Sequence, residues 1–249
     1  MTTTTFFTLD QLAKLDKSRI PKHVAIIPDG NRRWAKQKME QPDKGHFQGA
    51  NTLIEIVKSA KEIGIKTITF YLFSTENWAR SKDEINCLMW LLQEFLREHR
   101  EVMQQYGVRF QTVGDLSVFS QNILDSLEET RQATAECDCI NMVVALNYGA
   151  RNEMLRALHK IIDDCNSGTV KKELITENLI ASYLDTAPWG DPDLFIRTSG
   201  EMRLSNYMLW QLAYTEIYFT DVLWPDFRPS NLLDAAVEFQ KRDRRWGGA

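Results

Sequence analysis

Long hydrophobic runs are missing from this 249-residue chain. No stretch approaches the ~20 apolar residues that a membrane-spanning helix needs. The first seven residues lack the basic patch and apolar run of a secretory leader. Both absences point to a cytoplasmic chain, with any membrane contact peripheral, at the inner face. An excess of positive charge is also lacking: 30 Lys and Arg stand against 34 Asp and Glu, a net charge of -4. Without a general basic field, no nucleic acid partner is expected, and any anion site has to come from local clusters. Cysteine is scarce, and of Cys87, Cys137, Cys139 and Cys165 only the middle two lie close in sequence. No His or second Cys pair stands near them at zinc-ligand spacing, which leaves four reduced thiols. Neither G-x-x-x-x-G-K-[ST] nor G-x-G-x-x-G occurs, so the usual nucleotide-binding loops are excluded. No repeat, low-complexity tract or Pro/Gly linker divides the chain.

What is present has a clear rhythm. With 43% hydrophobic and 26% charged residues, the chain can bury the core of one domain over 1–249. β-branched apolar runs at 22–27, 67–73, 108–113, 140–146 and 193–198, and a shorter one at 216–220, read as strands. The intervening segments, of 15 or more residues, carry a period near 3.6. The expected fold is therefore α/β: a single domain with a mostly parallel central sheet of about six strands, flanked by helices on both faces. The helix at 82–106 is the clearest, with Ile85, Leu88, Met89, Leu92, Phe95 and Leu96 on one stripe. Another begins near Gly49 and carries Leu53, Ile54, Val57 and Ala60. A third spans 177–184. Thr8 and Gln11 form a capping-box pattern ahead of Leu12 and Leu15, which predicts a helical extension within residues 1–20 packed on the body.

Three clusters follow strands directly, where open parallel sheets bind ligands. The first, after 22–27, holds Asp29, Gly30, Asn31, Arg32 and Arg33. Two arginines can grip phosphate oxygens in bidentate fashion, glycine lets backbone N–H groups approach an anion, and Asp29 is a hard oxygen ligand suited to a diphosphate-bridged Mg²⁺. The second, after 67–73, holds Ser74, Thr75, Glu76, Asn77, Trp78 and Arg80. The third, after 193–198, places Arg197 and Arg203 around a Ser-Gly turn, with Ser205 and Asn206 as donors at the start of a following helix. Beyond it, Glu216 lies in an apolar setting, where a carboxylate needs either a cationic partner or a metal. Two anion sites and two candidate metal carboxylates fit a reaction that joins two diphosphate-bearing substrates.

At these residues the chain resembles the cis-prenyltransferase family, and most closely its bacterial undecaprenyl diphosphate synthase branch. The resemblance runs from His23 to Gly248 through HVAIIPDGNRRWAK, Gly45-His46, FSTENWAR, NYGAR at 147–151, LFIRTSGEMRLSN, the segment 209–227 and RDRRWGG at 242–248. It implies Asp29 and Glu216 as Mg²⁺ ligands, with Glu216 reached from the neighbourhood of a dimer partner. It implies Asp29 and Asn77 as catalytic residues, Asn77 by family convention the proton acceptor. An amide is a poor base, so Asn77 is read here as a positioner while a diphosphate oxygen takes the proton. An allylic diphosphate would be held by Gly30, Asn31, Arg32, Arg33, Trp34 and His46. Ser74, Thr75, Glu76, Trp78 and Arg80 would line the reacting region. Isopentenyl diphosphate would be held by Arg197, Arg203, Leu204 and Ser205. The resemblance further implies a homodimer, a C-terminal tail at 240–249 that completes the site, and a hydrophobic tunnel for the product. Leu53, Val57, Leu88, Met89, Leu92, Phe95, Ile140 and Val144 are candidate tunnel walls, with Ile140 closing it. Three departures stand out: Arg32 where bacterial relatives usually have Gly, Pro42 where an Arg is common (Lys44 being a candidate substitute), and Ser199 where a Gly is common. A shorter-chain synthase and a non-catalytic partner subunit are the alternatives.

Overall fold

The structure, a computed structural model, describes residues 5–242. Six parallel strands form one sheet in the order β3-β4-β2-β1-β5-β6. They are β1 (His23–Ile27), β2 (Thr67–Ser74), β3 (Val108–Val113), β4 (Ile140–Tyr148), β5 (Leu194–Arg197) and β6 (Glu216–Phe219). β1 and β5 are buried along their whole length, whereas the edge strand β6 is mostly half-buried. Strands covered on both faces can read as unbroken apolar runs, and HVAII and LFIR do so.

Alternate side chains serve two cores. Val24, Ile26, Ile68, Phe70, Met142 and Val144 face a large core with α3 (Pro42–Ile63), α4 (Lys82–Tyr106), α5 (Gln121–Ala133) and α8 (Pro229–Gln240). Ala25, Ile27, Tyr71, Val143, Ala145 and Phe195 face a smaller core with Ala150 of α6 (Ala150–Asn166) and Tyr207, Met208 and Leu212. Trp224 pins the larger core. It is fully buried, donates Nε1–H to the Gly49 carbonyl at 2.9 Å and stacks on Phe227.

Three expectations about elements change. The helix placed near Gly49 begins at Pro42, which supplies a ready-made first-turn residue. Gly45 and Gly49 weaken the helical signal there, yet a methyl on Gly45 would run into the Asn31 carbonyl at the start of α2 (Asn31–Gln37). Glycine is thus what lets α2 seat on α3. No helix follows β5: residues 198–215 are turns, with Ser199, Ser205, Asn206 and Met208 all at positive φ. The 177–184 helix is shorter, α7 (Glu177–Ser182). At the N-terminus, α1 (Leu9–Leu12) carries the Thr8–Gln11 capping box, with Leu12 and Leu15 against the core. Among the described residues no helix is long and apolar enough to cross a membrane.

Candidate active site

β1 is followed by a chain that turns towards β2, and β5 by one that leads to β6 on its other side. Adjacent strands whose connections depart in opposite directions leave a crevice at their carboxyl ends. Asp29 and Arg197 meet there. Arg197 closes β5 opposite Ile27, and its Nη2 donates to Asp29 Oδ2 at 2.9 Å. The Thr198 hydroxyl bonds both the N–H and the carbonyl of Asp29, at 2.8 and 2.7 Å. Gly30 caps α2 at φ 110°, a conformation that a side chain would strain.

Arg197 is 3% exposed. Its Nη1 donates to the Arg203 carbonyl and to Ser205 Oγ, at 2.7 Å in the second case, while its Nε is buried without a partner. Arg33 reaches across to the same loop, bonding the Ser199 carbonyl at 2.8 Å, Ser199 Oγ at 2.5 Å and Glu201 at 2.9 Å. Ser199 sits at φ 71°, a left-handed backbone that favours glycine. Asp29, 30% exposed at its side chain, keeps an oxygen towards the crevice, 3.7 Å from Arg33.

Around these residues lies a polar basin of about 1780 Å³, counting its open side. Asp29, Gly30, Asn31, Arg32, Arg33, His46, Ser74, Glu76, Asn77, Arg80, Arg197, Arg203 and Ser205 all line it. Beside it is an apolar cavity of about 630 Å³, counted in the same way, between α3 and α4. Leu53, Leu88, Met89, Leu92 and Phe95 line this cavity. Pro28, Asn31, His46, Leu72 and Leu88 line both spaces and form the neck between them.

Among the described residues, two side chains at the neck have polar atoms without partners. The Asn31 amide lies 3.4 Å from His46 Nδ1, which places the imidazole proton on the other nitrogen when the amide donates. His46 Nε2 is then a buried donor without an acceptor, and Asn31 Oδ1 is likewise bare. Desolvation, with help from Arg80 and Arg32, pulls the His46 pKa down to about 4, so the ring is neutral at neutral pH. On the second loop, Asn77 Oδ1 accepts the Ser74 N–H at 3.1 Å, which holds the amide in place. Partial burial pushes the Glu76 carboxyl up, but hydrogen bonds, led by that from Asn206, outweigh it and hold the group below its ordinary value.

Several predicted residues lie elsewhere. Trp34 donates to Asp226 at 2.9 Å, Trp78 donates to Asn147 at 2.8 Å, and Leu204 packs on the smaller core; none lines the basin. Thr75 is beside the basin, bonded to Glu76. Val57, Ile140 and Val144 are packed in the large core but are not walls of the apolar cavity. Glu216 opens β6, paired with Leu194 at the start of β5, so it lies at the end of the sheet opposite Asp29. It pairs with Arg242 at 3.0 Å, the cationic partner its apolar setting required. Within one chain the two carboxylates therefore do not face a common ion. Residues 243–249, the rest of the tail expected to complete the site, lie outside the described residues. Sequence reasoning missed Arg151 and Tyr71, and left Asn206 out of the site; all three line the basin. The NYGAR motif was the available signal for Arg151.

Comparison with known proteins gives the family. The family model described as "Putative undecaprenyl diphosphate synthase" matches residues 27–247. "Isoprenyl transferase" of Clostridium perfringens is 44% identical over 238 residues, covering 94% of this chain and 92% of the relative. "Isoprenyl transferase" of Bacillus subtilis is 44% identical over 242 residues, covering 96% and 93%. Among solved structures, lavandulyl diphosphate synthase from Lavandula x intermedia, in complex with dimethylallyl diphosphate, aligns with TM-score 0.90 at 35% identity. That alignment covers 93% of this chain and all of the other. A "probable undecaprenyl diphosphate synthase" from Campylobacter jejuni aligns with TM-score 0.77 at 32% identity, covering 92% and 99%. With a family model matched along nearly its whole length and an arginine-lined basin at the switch point of a parallel sheet, this chain belongs to the undecaprenyl diphosphate synthase family and is a prenyl-transferring enzyme.

Proposed function

We propose that the enzyme condenses isopentenyl diphosphate with an allylic diphosphate such as farnesyl diphosphate, in repeated cis additions, to give undecaprenyl diphosphate, the lipid-carrier precursor for cell-wall synthesis. The observation that carries this reading is the neck: a basin lined by arginines opens onto an apolar cavity through Pro28, Asn31, His46, Leu72 and Leu88. An amphiphile with a diphosphate head and a hydrocarbon tail is the chemistry that fills both.

Asp29 fits Mg²⁺. Among the described residues no three His, Cys, Asp or Glu side chains gather as ligands. A single partly exposed carboxylate beside a diphosphate site is the usual Mg²⁺ arrangement, completed by phosphate oxygens and water. When bound, the ion would neutralise charge on the leaving diphosphate. Arg32, Arg33 and the unpartnered His46 Nε2–H hold the allylic diphosphate, so its C1–O bond can break with the electrons leaving on oxygen. Arg197, Arg203 and Ser205 orient isopentenyl diphosphate, whose C4 bonds to the allylic C1. The proton lost from C2 passes to a diphosphate oxygen. Asn77, an amide and so a poor base, positions rather than accepts. Glu216 reaches such a site only from a second copy, which ties its expected metal role to a homodimer. Exposed Leu155, Leu158 and Ile162, one stripe along α6, support a dimer. A tunnel continuing from the cavity to Ile140 is tested by Ile140→Ala, which should lengthen the product.

A shorter product is the second reading, favoured by the likeness to a lavandulyl diphosphate synthase. One assay separates the readings: radiolabelled isopentenyl diphosphate with farnesyl diphosphate, with and without Mg²⁺, products sized by reverse-phase chromatography. A long product that requires Mg²⁺ is expected. A short one moves the assignment to the second reading. No incorporation by folded dimer would indicate a non-catalytic partner subunit.

A further inference from the structure

Among the described residues six arginines line the basin, and five of them already have an acid. Arg32 and Arg80 share Glu84, Arg33 and Arg203 share Glu201, Arg33 also approaches Asp29, and Arg197 holds Asp29. Arg151 differs. Among the described residues its guanidinium has no carboxylate and no hydrogen-bond acceptor, although it lines the same basin. A cation left unneutralised among paired ones is the strongest remaining attraction for an anion.

The local structure shows how Arg151 is held. It is the second residue of α6, whose N-cap is Gly149, a residue with no side chain to cap the helix. Asn206, from the loop after β5, does that work across space. Its carbonyl accepts the Ala150 N–H at 2.8 Å and its Oδ1 accepts the Arg151 N–H at 3.0 Å. Its Nδ2 donates to Glu76 Oε1 at 3.0 Å, on the loop after β2. One side chain thus ties three loops together, following β2, β4 and β5. A methyl on Gly149 would come within 2.7 Å of Asn206 Nδ2 and of Thr75 Oγ1, so the glycine leaves room for the tie. Asn206 adopts φ 60°, next to Ser205 at φ 49°. Its neighbours Arg203 and Ser205 belong to the loop read above as holding isopentenyl diphosphate.

We propose that Arg151 binds the diphosphate held by Arg197, Arg203 and Ser205, and that Asn206 is the positioning residue that aims it. The assignment of that diphosphate to isopentenyl diphosphate rests on the function proposed above; the binding of a diphosphate by Arg151 does not.

The test uses the full chain and two readouts. Inorganic pyrophosphate binding is measured by calorimetry, and KM is measured for each substrate. Arg151 is exposed, so Arg151→Gln should fold normally. It should weaken pyrophosphate binding about tenfold and raise KM for isopentenyl diphosphate similarly, leaving KM for the allylic substrate and kcat nearly unchanged. Arg151→Lys should recover part of the loss. Asn206→Ala should shift the same KM, and adding Arg151→Gln to it should bring little further loss, because the two act as a unit. Fully additive effects of the two changes would overturn the positioning role. Equal pyrophosphate affinity in wild type and Arg151→Gln would overturn the binding role, whether or not turnover is seen. Arg151-dependent pyrophosphate binding without any condensation would uphold the binding role and reject the proposed function instead.

Discussion

Asp29 and Glu216 make an instructive pair. Each is an acid within a predominantly apolar stretch, and each is matched to an arginine at close to 3 Å. Asp29 lies past the carboxyl end of β1, where Arg197 and Arg33 converge on it and an oxygen still faces an open basin. Glu216 lies at the amino end of β6, where, among the described residues, Arg242 answers it. The difference is one of register rather than residue type. A strand delivers an acid to a ligand or to a structural ion pair according to which of its ends the acid occupies, and only the sheet order decides which arginines gather there.

The strongest way to break this comparison is to remove each acid. Asp29→Ala should lower kcat on the order of 10³-fold, read in the labelled-substrate assay, because the group at the reacting diphosphate is lost. A variant retaining more than a tenth of the activity would remove Asp29 from the centre of the site. Gly45→Ala perturbs the same end of the sheet indirectly. The added methyl meets the Asn31 carbonyl, so α2 must shift; a stability loss of about 1–3 kcal/mol by denaturant unfolding, with weaker pyrophosphate binding, is the expected outcome. At the other end, Glu216→Gln disrupts a partly exposed pair and should cost under about 1 kcal/mol in the same unfolding experiment. If that variant is nonetheless inactive as a folded dimer, the second copy's Glu216 is serving the site. Full activity would leave Glu216 as an ion pair and nothing more.

The faintest expected signal is one proton. The folded pKa of His46, about 4, lies below the ordinary 6.5, so the folded state refuses a proton that the unfolded chain accepts. This residue's contribution to stability is complete above about pH 6.5 and falls away as the pH drops towards 4. NMR titration should show the His46 ring neutral down to about pH 5. Titration near 6.5 would mean that the neck is wetter than its burial indicates.

Much of this was legible in the primary structure because the relevant physics is local. β-branched runs located all six strands, and arginines placed just after them marked the basin. What stayed hidden depends on contacts between distant segments. Gly45 reads as a helix breaker until the Asn31 carbonyl is seen against it. Trp34 and Trp78 sit inside site motifs, yet their indole N–H groups turn away to Asp226 and Asn147. Val57 and Val144 have the right chemistry for a cavity wall but pack into the core. Ser205 and Asn206 suggest a helix start by residue type, whereas the chain there runs through left-handed turns. The Asn206 amide caps the helix after β4 instead, a role no window of neighbouring residues can reveal.

Those left-handed turns have a consequence for anyone who would re-engineer the enzyme. Ser199, Ser205, Asn206 and Met208 occupy positive φ within ten positions. Side chains tolerated there are filtered first by backbone strain and only afterwards by what they touch. A randomised library over this loop should therefore return Gly, Asn and Asp at these positions whichever diphosphate is used for selection. Such enrichment would record the shape of the main chain, not a preference for substrate. Altered specificity is better sought at positions with ordinary φ, Arg151 among them, where a change of side chain leaves the scaffold in place.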